Sequence, residues 1–165
     1  MTLKSWITSL KKRLRFPSRT KNSFLVLKNE PFIKASVFNK NNRIYSQDLV
    51  NEINEQIQKK LKDGLPIYGE LIHGNQEKHF DIQLRNVSHV LEKAWVDGDC
   101  LRGNIRVLDT PSGKALRSFL TQTPKSFVFR PRGIGELSAA NRVYNYKFFT
   151  IDAILATEDS FIGLI

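Results

Sequence analysis

The sequence predicts a β-rich α+β fold, a β-barrel flanked by helices, in a chain of 165 residues. Apolar and polar residues alternate over several short segments separated by turn residues, as they do in half-buried strands. Apolar residues recur at helical spacing in only two or three places, which predicts few helices. With 41% hydrophobic residues, the chain is long enough to bury one core.

The first half of the chain predicts strands on either side of one helix. Phe24 to Lys28 and Phe32 to Phe38 are apolar segments separated by an Asn-Glu-Pro sequence, and they predict two strands. A helix begins after Ser46, a natural N-cap, and a further strand follows it at Ile67 to Ile72. The apolar face of this helix repeats every four residues, at Leu49, Ile53, Ile57 and Leu61.

The second half predicts a hairpin, a short helix and a long final strand. Asp97-Gly98 is a hairpin turn sequence between two apolar segments. Pro111 begins the short helix, because proline is favoured at the first helical position. The predicted strands cover residues 80–84, 87–95, 101–108, 127–129 and 144–155.

The positive charge is concentrated at the N-terminus. The net charge is +10, and residues 1–22 contain seven basic residues and no acidic one, which leaves +3 for residues 23–165. We therefore expect a basic N-terminal arm at 1–22 and a nearly neutral domain at 23–165. Such an arm favours acidic partners. Its basic residues include Lys11, Lys12, Arg13 and Arg15.

The arm is predicted to form a basic amphipathic helix that ends before Pro17. Its apolar face favours docking on the parent domain or a neighbouring subunit, and nucleic acid or a membrane surface are the less favoured alternatives. No apolar segment reaches the roughly 18 residues of a membrane span, and the N-terminus lacks the apolar core of a signal peptide. The residues of the apolar face are Leu3, Trp6, Ile7, Leu10 and Leu14.

The cysteine count points to a reducing compartment. Cys100 is the single cysteine, so no internal disulfide can form. The Cys and His residues also lack the spacing of a zinc site. We expect no cofactor and no metal.

Six short sequence segments occur in the order found in one known family. Over residues 36–157 the chain resembles the prohead core (capsid maturation) proteases of T-even-type tailed bacteriophages. The segments are Asn39–Tyr45, Gly69–His73, Val87–His89, Leu108–Gly113, Arg132–Gly135 and Ile151–Asp152.

The resemblance implies the fold of the herpesvirus-type assembly proteases and a serine nucleophile activated by histidine. By position, His89 would be the base. The family's serines lie in a Ser-Ser-Arg-Gly sequence, which here reads Arg130, Pro131, Arg132 and Gly133. Arginine stays protonated and proline has no reactive group, so the resemblance implies that the nucleophile is substituted.

Other hydroxyl and thiol groups are candidate replacements for the serine. Ser126 lies four residues before Arg130, about 13 Å along a strand. Ser88 adjoins His89 and is predicted on the opposite strand face, and Cys100 matches no family position. His89 is therefore interpreted as a buried remnant of an ancestral site.

The sequence leaves the roles of the remaining polar residues open. His73, at a strand end, is either structural or a remnant of the substrate cleft, and His79 is expected in a solvated loop. Asp109 and Glu70 suit the orientation of a histidine, and Asp109 also suits a turn and N-cap role. Arg130 and Arg132 are expected either to pair with an acid, Glu70 or Asp152, or to bind an acidic neighbour.

Two functions from different classes follow. The first is a structural virion protein, a capsid-associated, cement or connector component of the phage head built on an inactive protease fold. Its partners would be phage capsid, portal or scaffold proteins, with packaged DNA an alternative partner of the arm. The second is an active maturation serine protease that cleaves scaffold and capsid proteins during head assembly in the host cytoplasm.

Overall fold

The computed structural model describes residues 24–72 and 80–157, which contain six strands and two α-helices. The predicted N-terminal arm helix, His73 and His79 lie outside the described residues. The strands are β1 (Val26–Lys34), β2 (Ile67–Ile72), β3 (Val87–Asp97), β4 (Cys100–Val107), β5 (Phe127–Leu137) and β6 (Val143–Leu155). The helices are α1 (Gln47–Lys62) and α2 (Pro111–Gln122), and a 3-10 turn spans Leu84–Asn86.

The six strands form one curled sheet, a half-barrel, in the order β1-β4-β3-β2-β6-β5. All neighbours are antiparallel except β2 and β6, which are parallel. The end strands β1 and β5 approach each other without forming a ladder. Each carries a proline, Pro31 and Pro131. Because proline lacks an N–H donor, it belongs on edge strands. The described sheet is therefore a half-barrel with an open seam between β1 and β5, where the sequence predicted a barrel.

Both predicted helices are confirmed, and each begins at a side-chain N-cap. Ser46 Oγ accepts a hydrogen bond from the Leu49 backbone N–H at 3.1 Å and begins α1. Thr110 Oγ1 accepts from the Gly113 N–H at 2.9 Å and begins α2, with Pro111 in the first turn. Both helices pack on β3. No helix among the described residues is long and apolar enough to cross a membrane.

The core lies between the sheet and α1. Val50, Ile53 and Ile57 of α1 are completely buried. Burial of each such side chain stabilises the fold by about 1.5–3 kcal/mol. Phe129 of β5 and Phe148 of β6 belong to the same core. The i+4 spacing read from the sequence thus defines the face of α1 that packs on the sheet.

Four predicted strands differ from the structure. The two predicted near the N-terminus merge into β1, whose pairing with β4 shifts register on both sides of Glu30 and Pro31. The strand predicted over residues 80–84 is wrong, since Phe80 and Leu84 are 69% and 82% exposed and Leu84 begins the 3-10 turn. Alternation of apolar residues forms a strand only where another strand is available to pair with it. The fragment at 127–129 extends to Leu137 as β5.

Candidate functional site

A buried ionic cluster occupies the interior next to β5. Arg132 Nε lies 2.8 Å from Asp152 Oδ2, and Arg132 Nη2 donates to Asp152 Oδ1 at 3.2 Å. Arg132 Nη2 also donates to Glu70 Oε2. The three residues come from β5, β6 and β2, and none is more than 4% exposed. We call Arg132, Glu70 and Asp152 the buried cluster.

Backbone groups complete the buried cluster. The Glu70 N–H donates to Asp152 Oδ1 at 3.1 Å, and the Gln83 N–H donates to Glu70 Oε1 at 3.1 Å. One cation therefore faces two carboxylates. Burial raises the pKa of Asp152 to about 6, while Arg132 acts in the opposite direction. Carboxylates taken out of water require such partners to remain ionised.

His89 lies on β3 and is completely buried. Its Nε2 lies 2.9 Å from the Ile151 carbonyl oxygen, which can only accept, so Nε2 carries the proton. Its Nδ1 lies 2.8 Å from Ser88 Oγ and therefore accepts from that hydroxyl. The ring also meets the Phe129 ring edge to face, with centroids 5.2 Å apart. Burial lowers the pKa of His89 to about 4, and the hydrogen bond to Ile151 opposes this only in part. The imidazole is therefore neutral at pH 7.

Gly69 makes this position of the imidazole possible. Gly69 of β2 pairs directly with His89 of β3. A β-carbon at position 69 would lie 2.1 Å from His89 Nε2 and 2.1 Å from the Ile151 oxygen. Only glycine leaves the ring room to reach across β2 to β6. The Gly-Glu pair in the Gly69–His73 segment thus supplies space for the histidine and, through Glu70, one acid of the buried cluster.

The positions that the resemblance gave to the serines lie on β5. Arg130 pairs in register with Asp152, and Pro131 pairs with Ile151. Arg130 Nη1 donates to the Phe129 carbonyl oxygen at 3.0 Å, and the residue is half-buried. Arg132, expected as a binding residue, is instead buried in the ionic cluster, so its guanidinium faces the interior. This is the pairing with Glu70 and Asp152 that the sequence offered as one alternative.

The hydroxyl and thiol groups considered as replacements are all buried. Ser88 is completely buried, and its Oγ bonds Nδ1 of the adjacent His89, a contact that the predicted placement on the opposite strand face did not anticipate. Imidazole Nδ1 lies close to the backbone, and a neighbouring serine hydroxyl can reach it. Ser126 Oγ is buried with no partner among the described residues. Cys100 is buried, with Sγ 3.6 Å from the Leu101 oxygen.

The other predicted residues are separate from the buried cluster. Asp109 is exposed and lies 3.6 Å from Lys114 Nζ, and the N-cap of α2 is the next residue, Thr110. The N-cap role predicted for Asp109 is therefore wrong, since Thr110 caps the helix instead. The four basic residues expected to bind through the arm lie outside the described part of the chain: Lys11, Lys12, Arg13 and Arg15.

A groove follows the open seam between β1 and β5. Two adjoining cavities of about 440 and 560 Å³ open along it, and Pro31 and Arg130 line both. The first has an apolar floor that includes Phe32, Ile33 and Tyr45, and it is lined by one acidic residue, Asp99. Its basic residues are Lys34, Lys40, Arg43, Arg102 and Arg130. We call this feature the seam groove. Sequence reasoning missed it, because it forms between segments about 100 residues apart in the chain.

Comparison with known proteins identifies the class. The family model described as "Prohead core protein serine protease" matches residues 21–153. Because this match covers most of the sequence, the chain belongs to the prohead core serine protease family. The relationship that the sequence segments indicated is confirmed.

A solved structure shares the fold. The bacteriophage T4 capsid assembly protease, gp21, superposes with a TM-score of 0.66 at 19% sequence identity. The alignment covers 80% of this chain and 91% of that one. At this identity the likeness shows the fold alone. Nothing among the curated proteins matches this chain.

Proposed function

We propose that this chain is a non-catalytic member of its family and serves as a structural component of the phage head. The observation that carries the proposal is the sequence of β5, where Arg130 and Pro131 occupy the positions that the resemblance assigns to serine. Neither side chain can attack a carbonyl group. Without that attack the covalent route to peptide hydrolysis is closed.

The state of His89 supports the same proposal. A general base needs a free nitrogen within hydrogen-bond reach of the nucleophile and a pKa near the working pH. Both ring nitrogens of His89 are bonded inside the protein, and its pKa is about 4. In this state the imidazole links β3 to β6, because its Nε2–H donates to the Ile151 carbonyl oxygen. Its role in the proposed function is structural.

The buried cluster supports a structural role for the former site. Arg132 joins β5 to Glu70 of β2 and Asp152 of β6. Such a cluster fixes the register of three strands, since a shift of one residue would leave an uncompensated buried charge. The fold then works as a rigid scaffold that presents its surfaces to neighbours.

The proposed partners are phage capsid, portal or scaffold proteins, and the proposed location is the virion. The arm would contact a neighbouring protein through its apolar face or DNA through its basic residues. The relation to herpesvirus-type proteases remains a prediction. Residues proposed for binding are Lys11, Lys12, Arg13, Arg15 and Arg130.

The experiment that tests the proposal is the intact mass and copy number of this chain in purified mature phage particles. We expect many symmetric copies of one defined mass per particle. In parallel, purified protein incubated with scaffold and capsid proteins should cleave neither. Absence of the chain from mature heads together with cleavage of either substrate would contradict the proposal.

A second candidate function is an active maturation protease with a displaced nucleophile. The Ser88–His89 hydrogen bond of 2.8 Å favours it, because it places a hydroxyl beside an imidazole. Both groups are completely buried, so this function requires β3 to open toward substrate. Labelling by a fluorophosphonate that is lost in Ser88→Ala, with Ser126→Ala as the matched control, would support it.

A further inference from the structure

Two lysines and two phenylalanines lie together where α1 packs against β6. Lys60 Nζ lies 5.6 Å from the centre of the Phe148 ring and donates to the Phe149 carbonyl oxygen at 3.1 Å. Lys147 Nζ lies 5.9 Å from the centre of the Phe149 ring. That ring meets the ring of Phe80 edge to face, with centroids 6.0 Å apart. We call Lys60, Lys147, Phe80 and Phe149 the lysine–phenylalanine patch.

The patch carries positive charge that the described part of the chain does not neutralise. Neither Lys60 nor Lys147 forms an ion pair with an acidic residue there. Burial lowers the pKa of Lys60, and the nearby charge of Lys147 lowers this pKa further. Two like charges held close together repel each other, and a bound anion would relieve that repulsion. The patch therefore favours an anionic ligand.

The same patch offers an aromatic surface. Phe80 is 69% exposed. An edge-to-face contact uses at most one face of each ring, so a face of the Phe80 ring is accessible to a ligand. Phe149, beneath Lys147, is half-buried. A flat apolar surface thus lies beside two cations.

The helix α1 holds this part of β6 in place. Gln56 Nε2 donates to the Tyr146 carbonyl oxygen at 2.8 Å, and the Phe148 N–H donates to Gln56 Oε1 at 2.8 Å. Lys60 is four residues further along α1, on the same side of the helix, and bonds the Phe149 carbonyl oxygen. The backbone that carries Lys147 and Phe149 is therefore fixed before any ligand binds, which lowers the entropic cost of binding.

We propose that the lysine–phenylalanine patch binds single-stranded nucleic acid. A base stacks on Phe80, and the neighbouring phosphates contact Lys60 and Lys147. Every nucleotide combines a flat ring with an anionic group, whereas an acidic protein segment would need a matched sequence to supply both. A single strand is required because the bases of a duplex are stacked on each other. None of the four residues lines the seam groove, and the proposal does not depend on whether the chain is catalytic.

The first test measures stacking. A fluorescein-labelled single-stranded oligothymidylate is titrated into the full chain, and its anisotropy is recorded. Phe80→Leu keeps an apolar side chain but removes the ring, and it should weaken binding about fivefold or more. Phe80→Trp should bind at least as tightly as the natural chain. Phe119→Leu, the matched control, removes another exposed ring, on α2, and should leave the affinity unchanged.

The N-terminal arm is present in all of these proteins, so any binding by its basic residues is common to them. No binding of the oligothymidylate to the natural chain would overturn the proposal. Equal affinities of the Phe80→Leu and Phe119→Leu variants would also overturn it, because binding would then not depend on the patch. Urea unfolding of each variant checks that the fold is retained, and Phe80→Trp keeps the test informative if Phe80→Leu does not fold.

The salt dependence separates charge from stacking. Each phosphate contact in a single strand contributes about −0.7 to the slope of log Kobs against log salt concentration. Lys147→Ala should make this slope shallower by about 0.7, whereas Phe80→Leu should lower the affinity without changing the slope. Lys93→Ala, the control, removes an exposed lysine of β3 and should leave the slope unchanged. Equal changes of slope in the two lysine variants would overturn the phosphate contact.

Two other labelled probes separate other ligands. A duplex of the same length should bind the natural chain and Phe80→Leu equally, because its bases are not available to the ring. Loss of duplex binding in Phe80→Leu would overturn the single-strand assignment. Poly-glutamate should bind more weakly than the oligothymidylate. Tighter binding of poly-glutamate that is lost in Lys147→Ala would assign the patch to an acidic protein segment and overturn the proposal.

Discussion

Two buried titratable groups are expected to give opposite pH dependence to stability. His89 has its pKa lowered from 6.5 to about 4. Between these values the unfolded chain binds a proton that the folded chain does not. The stability that neutral His89 contributes is present above pH 6.5 and is lost as pH falls toward 4. Asp152 has its pKa raised from 3.8 to about 6. Its contribution is present below pH 3.8 and is lost as pH rises through about 6.

The contributions of His89 and Asp152 to stability are similar in magnitude because their pKa shifts are similar in size. At about 1.4 kcal/mol per tenfold change in proton affinity, His89 accounts for about 3 kcal/mol between pH 8 and pH 4. Asp152 accounts for about 2–3 kcal/mol over the same range, with the opposite sign. In the natural protein the two contributions largely cancel. Removing either group should reveal the other.

The perturbation is His89→Gln, which offers an amide N–H to Ile151 and removes the titrating ring. Relative to the natural chain, the variant should be destabilised at pH 8, and this cost should shrink by about 3 kcal/mol at pH 4. The destabilisation caused by Asp152→Asn should depend on pH in the opposite direction and grow by about 2–3 kcal/mol toward pH 4. Urea unfolding followed by tryptophan fluorescence at several pH values gives both quantities. A cost of His89→Gln that is independent of pH would refute the reasoning.

Three further predictions concern single positions and are checked by urea unfolding. Gly69→Ala should lower the free energy of unfolding by about 3 kcal/mol or more, because the new methyl group overlaps the buried imidazole. An unchanged urea midpoint would contradict this packing. Arg132→Met should cost about 3–5 kcal/mol at pH 7, and Glu70→Gln with Asp152→Asn in the same chain should recover most of it. Failure of that recovery would mean that packing, not charge, dominates the loss. Thr110→Ala should cost about 1 kcal/mol through the lost N-cap, and Thr110→Ser should retain most of the stability.

The local elements of this fold could be predicted from the sequence. Ser46 and the i+4 apolar repeat placed α1, and Asp97-Gly98 placed the β3–β4 hairpin. These signals concern residues close in the chain, whose hydrogen bonds depend on local spacing. The apolar residues Phe80 and Leu84 gave the same kind of signal without a strand to pair with, so that prediction was wrong.

The candidate site could be predicted only in part. The pairing of Arg132 with Glu70 or Asp152 was among the alternatives, and the structure joins it to both. The hydrogen bond of Ser88 to His89 was missed, because strand alternation describes where side chains point and not how far a short hydroxyl can reach. Gly69 was part of a sequence segment, but its role as space for a ring depends on β6 lying beside β2.

The sequence by itself determined the family, the two described helices, the Ser46 cap of α1, and the absence of hydroxyl groups at positions 130 and 131. The tertiary structure decided what replaces them. The buried cluster joins β2, β5 and β6, whose residues are as many as 82 positions apart. The seam groove exists because the strand order leaves β1 and β5 at the two ends of a curled sheet. Contacts at such separations depend on strand order and register, which are set by the packing of the whole chain and not by any local pattern.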